Sequence, residues 1–407
     1  MVRFLFSSML LISIVSCLDK PSKSLKSGAW RATLGVMDNK SLSFDFEVES
    51  ENSLKIYNDN EVIDINEISY KEDSVFIKMA VFKNFIAAKL IDEETLSGNY
   101  YDPDRGRIIS FEAKYGNAKR DEALEPALID ISGNWEMLFS PNIEDDEYIA
   151  KGIFKQEKSR LTGTIRTTIG DYRYLEGVIK GNQFELSTFD GSHAFLFTGT
   201  ASDSTLQGIF YSGNHFKQPF IATRNEDYEL PDENELTFLK EGFDKFYFSF
   251  PDFEGNMVSL DDERFKNKVV IVQLMGTWCP NCLDETKFYS QFYRENNNKD
   301  LEIVALAFEY SKTNEAAFEN IKRYKEKTNV HYPILLAQIG GSSKIKAQEK
   351  LPMLNHVLSY PTTIFIDKQG NVRKIHTGFN GPATGVKYET FKTEFNDFVG
   401  SLLEEDF

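Results

Sequence analysis

Apolar and polar residues alternate along much of the first half of the chain. In residues 42–48 every second side chain is large and apolar, and this period of two predicts a strand with one buried face. Short β-branched and aromatic runs, bounded by turn residues, continue to residue 225, and no long helical pattern interrupts them. We therefore predict an all-β region over residues 28–225.

The predicted β region contains an internal repeat. The matching segments are SGAWR at 27–31 with SGNWE at 132–136, and LSGNYY at 96–101 with LQGIFY at 206–211. We predict two copies of one meander, at 28–120 and 130–225, in an apparently duplicated barrel- or sandwich-like structure. Trp30 and Trp135 are interpreted as core residues, because large aromatic side chains usually pack inside. A barrel face that holds a ligand or a client protein stays open as an alternative.

The second half of the chain follows a different pattern, in which apolar runs alternate with helical segments. Residues 269–274 form an almost continuous apolar run, as expected for a strand buried on both faces. Amphipathic stretches at 313–328 and 386–403 predict helices. We predict an α/β domain over residues 240–407, joined to the β region by an acidic linker at 226–239.

The N-terminus carries a targeting pattern. Arg3 precedes an apolar run that is too short to span a bilayer, and small and aliphatic residues come directly before Cys17. The pattern resembles a bacterial lipobox, which implies that residues 1–16 are a signal peptide, that Cys17 carries a lipid and that residues 17–27 are a tether. The expected location is the cell envelope, lipid-anchored on the periplasmic side of a bacterial membrane. The alternative is an ordinary secretory signal with an incidental cysteine.

Composition narrows the possible classes of protein. The chain has 407 residues and a formal net charge of −17, and it lacks the clusters of Lys and Arg that phosphate binding requires. We therefore expect no nucleic-acid partner. Only three cysteines are present, which excludes a scaffold held together by disulfides. We expect no cofactor, so the chemistry has to come from side chains.

Two of the cysteines, Cys279 and Cys282, form a Cys-Pro-Asn-Cys sequence directly after the predicted buried strand. This placement makes Pro280 the first residue of a helix, where its missing N–H costs nothing. Free backbone N–H groups and the helix dipole would then stabilise the thiolate form of Cys279. Cys282 lies one turn further on, where it can resolve a mixed disulfide formed by the first cysteine.

Glu285 lies one turn after Cys282 on the same predicted helical face, which continues through Tyr289 and Phe292 towards the core. Partial burial would raise the pKa of its carboxyl group, so that it could exchange a proton with Cys282 near neutral pH. A glutamate exposed on the helix surface is the alternative interpretation.

Other uses of a close cysteine pair fit the sequence less well. A structural zinc site needs four ligands, and His331, His356 and His376 lie at no zinc-finger spacing, so we predict no metal site. An inert disulfide across four residues would restrict little chain entropy. No Cys-x-x-Cys-His motif is present to attach haem. A redox-active pair is therefore the favoured interpretation.

The run KVVIV at 268–272, followed by GTWCPNC at 276–282, resembles the thioredoxin superfamily. It is most similar to the TlpA/ResA-type thiol–disulfide oxidoreductases of bacterial envelopes. Residues 250–260 are similar to the additional N-terminal hairpin of that group. Glu285 matches the active-site glutamate of the group by its spacing, whereas Gln273 stands where thioredoxins proper have a buried aspartate.

The same resemblance implies a substrate-contacting surface. Tyr360 and Pro361 open a predicted strand and correspond to a cis-proline loop, which together with Trp278 would contact an extended substrate. Residues 338–358 are interpreted as an insertion near this loop that shapes the choice of substrate.

The predicted function is an envelope thiol–disulfide oxidoreductase. Cys279 would attack a disulfide of a client protein, Cys282 would resolve the intermediate, and Glu285 would carry the proton. The resemblance implies reduction as the direction and a membrane thiol transporter as the electron donor. A peroxiredoxin-like peroxidase is the second hypothesis, although Gly276 stands where that frame has Thr or Ser. The third is a ligand- or client-binding β-barrel protein with an accessory redox domain.

Overall fold

The structure is a computed structural model that describes residues 24–116, 125–296 and 298–405. The predicted signal peptide, Cys17 and most of the predicted tether lie outside the described residues. None of the helices in these three ranges combines the length and the apolar character that crossing a membrane requires. The described chain forms two β sheets followed by an α/β domain.

Nine antiparallel strands form the first sheet. Their bounds are β1 Gly28–Gly35, β2 Ser41–Ser50, β3 Ser53–Asn58, β4 Glu61–Ile65, β5 Ile68–Lys71, β6 Ser74–Lys78, β7 Phe85–Leu90, β8 Thr95–Asp102 and β9 Arg107–Tyr115. Their spatial order is β4-β3-β2-β1-β9-β8-β7-β6-β5. The predicted alternation holds in β2, where Leu42, Phe44, Phe46 and Val48 are buried and the side chains between them are not.

The second sheet also contains nine strands. Their bounds are β10 Gly133–Phe139, β11 Tyr148–Glu157, β12 Arg160–Thr167, β13 Gly170–Asp171, β14 Leu175–Lys180, β15 Gln183–Phe189, β16 Ala194–Ala201, β17 Thr205–Ser212 and β18 Phe216–Arg224. The sheet closes into a barrel because β11 pairs with β12 as well as with β10, and the short β13 extends from β12. We refer to the two sheets as the first and the second barrel.

The two barrels share details of their cores. Trp30 and Trp135 are both fully buried, as predicted. Each indole N–H donates to the carbonyl four residues earlier, at 2.9 Å to Lys26 and 3.0 Å to Ile131. The all-β, barrel-like character of the N-terminal region is therefore confirmed, and its origin by duplication stays a prediction.

The C-terminal domain is built on a mixed five-stranded sheet. A small hairpin precedes it, formed by β19 Ser249–Pro251 and β20 Met257–Ser259, and it overlaps residues 250–260, for which a hairpin was expected. The remaining bounds are β21 Val269–Met275, α1 Pro280–Asn296, β22 Leu301–Phe308, α2 Asn314–Thr328, β23 Ile334–Gln338, α3 Lys344–Lys350, β24 Thr362–Ile366, β25 Val372–Thr377 and α4 Val386–Glu404. The strand order is β23-β22-β21-β24-β25, with β21 parallel to β22 and antiparallel to β24. Every residue of the central β21 is buried, as the continuous apolar run predicted.

The predicted acidic linker at 226–239 packs against the domains on either side of it. Glu229 forms ion pairs with Lys151 and Arg166 of the second barrel. Glu233 forms an ion pair with Lys387 at the start of α4. These contacts tie the second barrel to the α/β domain, so the relative position of the two parts is fixed by more than the covalent chain.

Candidate active site

The cysteine pair lies where the central strand β21 ends and helix α1 begins. The helix starts at Pro280, as predicted, and Cys279 immediately precedes it. The backbone N–H of Cys282 donates to the Cys279 sulfur at 3.2 Å, and the Cys279 thiol donates to the Tyr360 carbonyl at 3.5 Å. Both cysteines are free thiols. The first sulfur thus receives a helix N-terminal N–H that can stabilise a negative charge on it.

The two sulfurs have different environments. Cys279 is 6% exposed, whereas Cys282 is completely buried. Burial, together with the neighbouring Cys279 sulfur, raises the pKa of Cys282 well above its ordinary value. This geometry suits Cys279 for attack and Cys282 for the resolving step. Within the described part of the chain, no group of three His, Cys, Asp or Glu side chains is placed to hold a metal ion.

Glu285 lies beneath the sulfurs and is fully buried, so it is not the exposed surface glutamate of the alternative interpretation. Its carboxylate accepts hydrogen bonds from Gln273 at 2.8 Å, Thr363 at 2.9 Å and Tyr289 at 3.1 Å. Burial raises the pKa of Glu285 to about 7, against the opposing effect of these three hydrogen bonds. The charge of Glu285 in turn contributes to the raised pKa of Cys282. The carboxyl group is therefore poised to change protonation near neutral pH.

The predicted substrate-contacting residues come together beside Cys279. The peptide bond between Tyr360 and Pro361 is cis. The Trp278 indole N–H donates to the Phe308 carbonyl at 2.9 Å, which fixes the ring next to the first cysteine. The Trp278 and Tyr360 rings meet edge to face, with centroids 6.1 Å apart. Their positions fit a substrate-contacting role, which stays a prediction.

A second buried carboxylate, Glu309, was not identified from the sequence. Its carboxylate accepts hydrogen bonds from the backbone N–H of Thr277 at 2.8 Å and from the Thr277 hydroxyl at 2.7 Å. Burial raises the pKa of Glu309 to about 7. Glu309 thereby holds the turn that precedes the cysteines. In the sequence, Glu309 could have been noticed as an acidic residue placed directly after the long apolar run of β22.

The predicted insertion at 338–358 contributes a lysine to the site. Lys344, at the start of α3, places its ammonium group 3.8 Å from the centroid of the Tyr360 ring. Burial lowers the pKa of Lys344 to about 8, although the two cysteines act in the opposite direction. The sequence offered no signal for this contact, because the lysine is 65 residues from Cys279 and only the fold brings them together.

The second barrel reaches the active site through residues 166–173, which we call the capping hairpin. The Asn281 amide, between the two cysteines, donates to the Asp171 carbonyl at 3.0 Å. The Ser359 hydroxyl, just before the cis-proline bond, donates to the Ile169 carbonyl at 2.9 Å. The hairpin therefore contacts both the Cys-Pro-Asn-Cys turn and the cis-proline loop, an arrangement that sequence analysis missed.

Two glycines permit this close approach. Gly170 of the capping hairpin has φ of +135°, and a Cβ atom there would lie 2.5 Å from the Asn281 amide nitrogen. Gly378, after β25, has φ of +78°, and a Cβ atom there would lie 2.6 Å from the Ile169 carbonyl carbon. At Gly378 the near atoms belong to the Ile169 backbone, so a larger residue there would push the hairpin and the α/β domain apart.

Arg173 joins all three parts of the molecule. Its guanidinium donates to the Pro280 carbonyl at 3.1 Å and pairs with Asp284 of α1 and with Glu61 of the first barrel. Asp190 of the second barrel lies 3.8 Å away. Burial by itself lowers the pKa of Arg173, but the surrounding carboxylates raise this pKa well above its ordinary value. The start of the active-site helix is thus bound electrostatically to both barrels.

The fold and the site together define a class of protein. A central strand, a Trp-Cys-Pro-Asn-Cys turn, a helix and an adjacent cis-proline on a mixed sheet are the features of a thioredoxin-superfamily domain. Residues 244–390 match the Redoxin family model. This C-terminal domain is therefore similar to the thioredoxin superfamily and to ResA-type oxidoreductases, in agreement with the resemblance seen in the sequence.

Curated relatives match about a third of the chain. The thiol-disulfide oxidoreductase ResA of Bacillus thuringiensis subsp. konkukian is 31% identical over 125 residues, which cover 31% of this chain and 62% of that protein. The thioredoxin-like protein YneN of Bacillus subtilis is 27% identical over 140 residues, which cover 34% of this chain and 73% of that protein. The chain thus spans less than two thirds of the ResA protein that it matches. These relatives support the predicted enzyme class, thiol–disulfide oxidoreductase.

Solved structures superpose on somewhat more than a third of the chain. A thiol-disulfide oxidoreductase from Bacteroides fragilis covers 37% of this chain and 99% of its own, with 19% identity and a TM-score of 0.28. A thiol:disulfide interchange protein from Chlorobium tepidum covers 40% of this chain and 98% of its own, with 20% identity and a TM-score of 0.30. At these TM-scores the superpositions carry no weight for function.

Proposed function

We propose that the protein is a thiol–disulfide oxidoreductase of the bacterial cell envelope that reduces disulfides of client proteins. The observation that carries this proposal is the asymmetry of the cysteine pair. The Cys279 sulfur accepts a hydrogen bond from the start of a helix and its residue is 6% exposed, whereas Cys282, one turn away, is completely buried. Such a pair suits attack by the first sulfur followed by intramolecular release.

The reaction then proceeds in two exchanges. The Cys279 thiolate attacks one sulfur of the client disulfide, a mixed disulfide forms, and the other client sulfur leaves as a thiolate that takes up a proton. Cys282 loses its proton and attacks the Cys279 sulfur, which closes the Cys279–Cys282 disulfide and releases the second client thiol. Two electrons pass from the protein to the client, and an external dithiol restores the reduced pair.

Glu285 is proposed to handle the proton of Cys282. Its pKa of about 7 allows it to accept a proton and to release it again at neutral pH. Its hydrogen bonds to Gln273, Tyr289 and Thr363 keep it at one position beneath the pair. Trp278, Tyr360 and Pro361 are proposed to contact the client segment next to the attacked sulfur.

The location and the partners are proposed from the N-terminal sequence and the family resemblance. A lipid on Cys17 would anchor the chain to a bacterial membrane and leave residues 24–405 on the periplasmic side. The external dithiol would then be supplied by a membrane thiol transporter. Metabolic labelling with a clickable fatty acid, with and without Cys17→Ser, tests the anchor, and equal labelling of both proteins would contradict it.

Substitution of the two cysteines tests the activity. Cys279→Ser is expected to abolish reduction of a disulfide substrate such as insulin, because no nucleophile remains. Cys282→Ser is expected to accumulate mixed disulfides with client proteins, detected on non-reducing gels and identified by mass spectrometry. Unchanged activity in the first variant, or no trapped species in the second, would contradict the proposal. Consumption of hydrogen peroxide at a rate above that of insulin reduction would favour the peroxidase hypothesis.

A further inference from the structure

A cleft lies between the second barrel and the cysteine pair. Its volume is about 650 Å³, and Trp278, Cys279 and Tyr360 form one side of it. The opposite wall belongs to the second barrel, which presents aromatic side chains. Volumes of this size suit a ligand or a short peptide segment rather than a protein surface. We call this space the aromatic cleft.

The wall of the aromatic cleft consists of rings that pack against one another. Tyr172 contacts Phe195 and Phe210 with ring centroids 5.3 and 5.2 Å apart, and Phe216 lies 6.5 Å from Phe210. Phe216 is 43% exposed. Ile169, at the tip of the capping hairpin, is 45% exposed and lines the same space. A concave apolar surface left open to water beside a reactive sulfur is typical of a binding site.

A polar group on the other side of the cleft lacks a partner. The Tyr360 side chain is 7% exposed, and its hydroxyl makes no hydrogen bond with any residue that the structure describes. A buried phenol hydroxyl without a partner costs free energy.

The rim of the aromatic cleft is acidic. Asp145, Asp146 and Glu147 are exposed in the loop before β11 and line the opening. Arg173 also lines the cleft, but its charge is already paired with Glu61 and Asp284. Lysine or arginine side chains on a ligand would be attracted to this rim.

The capping hairpin restricts the shape of the ligand. Its hydrogen bonds to Asn281 and Ser359 occupy the side of Cys279 next to the cis-proline loop. A Cβ atom at Gly170 would already lie 2.5 Å from the Asn281 amide, so no space remains between the two parts at that point. A broad folded surface therefore meets the hairpin before it meets the sulfur, whereas a single flexible segment can enter through the cleft.

We propose that the aromatic cleft binds a flexible client segment in which the disulfide cysteine adjoins an aromatic residue and basic residues. The aromatic residue packs against Tyr172, Phe195 and Phe216, the basic residues meet Asp145 and Asp146, and the disulfide reaches Cys279. This inference rests on the proposed disulfide reductase function and adds a substrate class to it. The exchange steps are those given above, with the client segment as the oxidant.

Two cyclic disulfide peptides of equal length test the proposal. One carries Phe and two Lys beside a cysteine, and the other carries Ala and two Glu at the same positions. The full-length, pre-reduced protein is mixed with each peptide, and with hydroxyethyl disulfide as a small reference substrate, and loss of the disulfide is followed by chromatography. We expect the Phe/Lys peptide to react about tenfold faster than the Ala/Glu peptide. The preference should fall at high salt, because part of it is electrostatic.

A cleft variant and a matched control variant test whether this preference arises in the cleft. Phe216→Ala combined with Asp145→Asn and Asp146→Asn is expected to reduce the ratio of the two peptide rates from about tenfold to about twofold. The control is Ile91→Ala combined with Glu93→Gln and Glu112→Gln, which makes the same kinds of change on exposed residues of the first barrel. The control is expected to keep the full ratio.

The outcomes separate the two proposals. If wild-type protein reduces hydroxyethyl disulfide but treats both peptides alike, the cleft proposal is wrong and the proposed function stands. If the control variant loses the preference as fully as the cleft variant, the cleft is again excluded as its source. If wild-type protein reduces neither the peptides nor hydroxyethyl disulfide, the reductase function itself is wrong, and the cleft proposal falls with it.

Discussion

The two barrels contact the same α/β domain, but they do so with different chemistry. The first barrel places the Arg105 guanidinium 5.1 Å from the centroid of the Trp278 ring and presents the backbone carbonyls of residues 79–81 to Arg323 of α2. The second barrel places the capping hairpin directly on the turn that contains the cysteines. The first barrel therefore supports the domain from the side, and the second determines access to the sulfur.

The difference lies in the loops and not in the cores. Both barrels bury a tryptophan whose indole N–H is bonded to a carbonyl four residues earlier. Only the second extends β12 into a hairpin that reaches the active site and lines a cleft with aromatic side chains. Two similar scaffolds thus acquire different roles through the segments that connect their strands.

The largest expected effect comes from removing the charge that joins both barrels to α1. Arg173→Ala would leave Asp284 and Glu61 buried without their partner, and we expect a loss of about 3–5 kcal/mol in the free energy of unfolding at pH 7. The loss should shrink towards pH 4, because burial raises the pKa of Asp284 and the abandoned Asp284 carboxylate then takes up a proton. Chemical denaturation monitored by circular dichroism measures it.

Arg323→Ala is the matched control on the side of the first barrel. Arg323 and its partner Glu67 are each 27% exposed, so their ion pair is screened by solvent and we expect a loss of only about 1 kcal/mol. Equal losses in the two variants would show that the two barrels are attached to the α/β domain in the same way.

The next largest expected effect is on the pH dependence of stability, and it comes from substituting the buried glutamates. Glu285 is bonded to Gln273 and Glu309 to Thr277, and burial raises the pKa of each glutamate to about 7. In the unfolded chain a glutamate titrates near its ordinary pKa of about 4.3, so the folded protein holds more protons between these values and loses stability as the pH rises. Glu285→Gln is expected to remove up to about 3 kcal/mol of this decline between about pH 4.5 and pH 7.

Glu309→Gln tests whether the effect of Glu285→Gln on activity is specific to Glu285. It is expected to reduce the same decline in stability, since its carboxyl group is equally buried. Only Glu285→Gln is expected to shift the midpoint of the pH profile of disulfide reduction, because Glu285 interacts with Cys282. A shift of equal size in both variants would remove the specific proton-transfer role proposed for Glu285.

The smallest expected effect concerns the cover over the sulfur. Asn281→Ala removes one hydrogen bond to the capping hairpin, worth about 1 kcal/mol, and is expected to increase alkylation of Cys279 by iodoacetamide about fivefold. Peptide mapping by mass spectrometry gives the rate at this cysteine. Asn320→Ala, which removes an amide hydrogen bond between α2 and Asp104 of the first barrel, should leave that rate unchanged. Similar rates in both variants would mean that the hairpin does not limit access.

Much of the fold follows from local patterns in the sequence. The alternation around Phe44, the continuous apolar run of β21 and the Cys-Pro start of α1 each constrain a few neighbouring residues, and each is found as predicted. The cis peptide bond before Pro361 also agrees with the family resemblance. Glu285 could be placed because its distance from Cys282 is set by the helical repeat alone.

The sequence by itself determined the strands, the cysteine pair and the carboxylate beneath it, because these depend on spacings within one element. The tertiary structure alone decided that the second barrel bonds Asn281 beside Cys279, that Arg173 binds Asp284, and that Lys344 lies over Tyr360. These contacts join residues far apart along the chain, and they arise from how three separately formed parts pack. No periodic pattern encodes such packing, since it depends on the shapes and charges of whole surfaces.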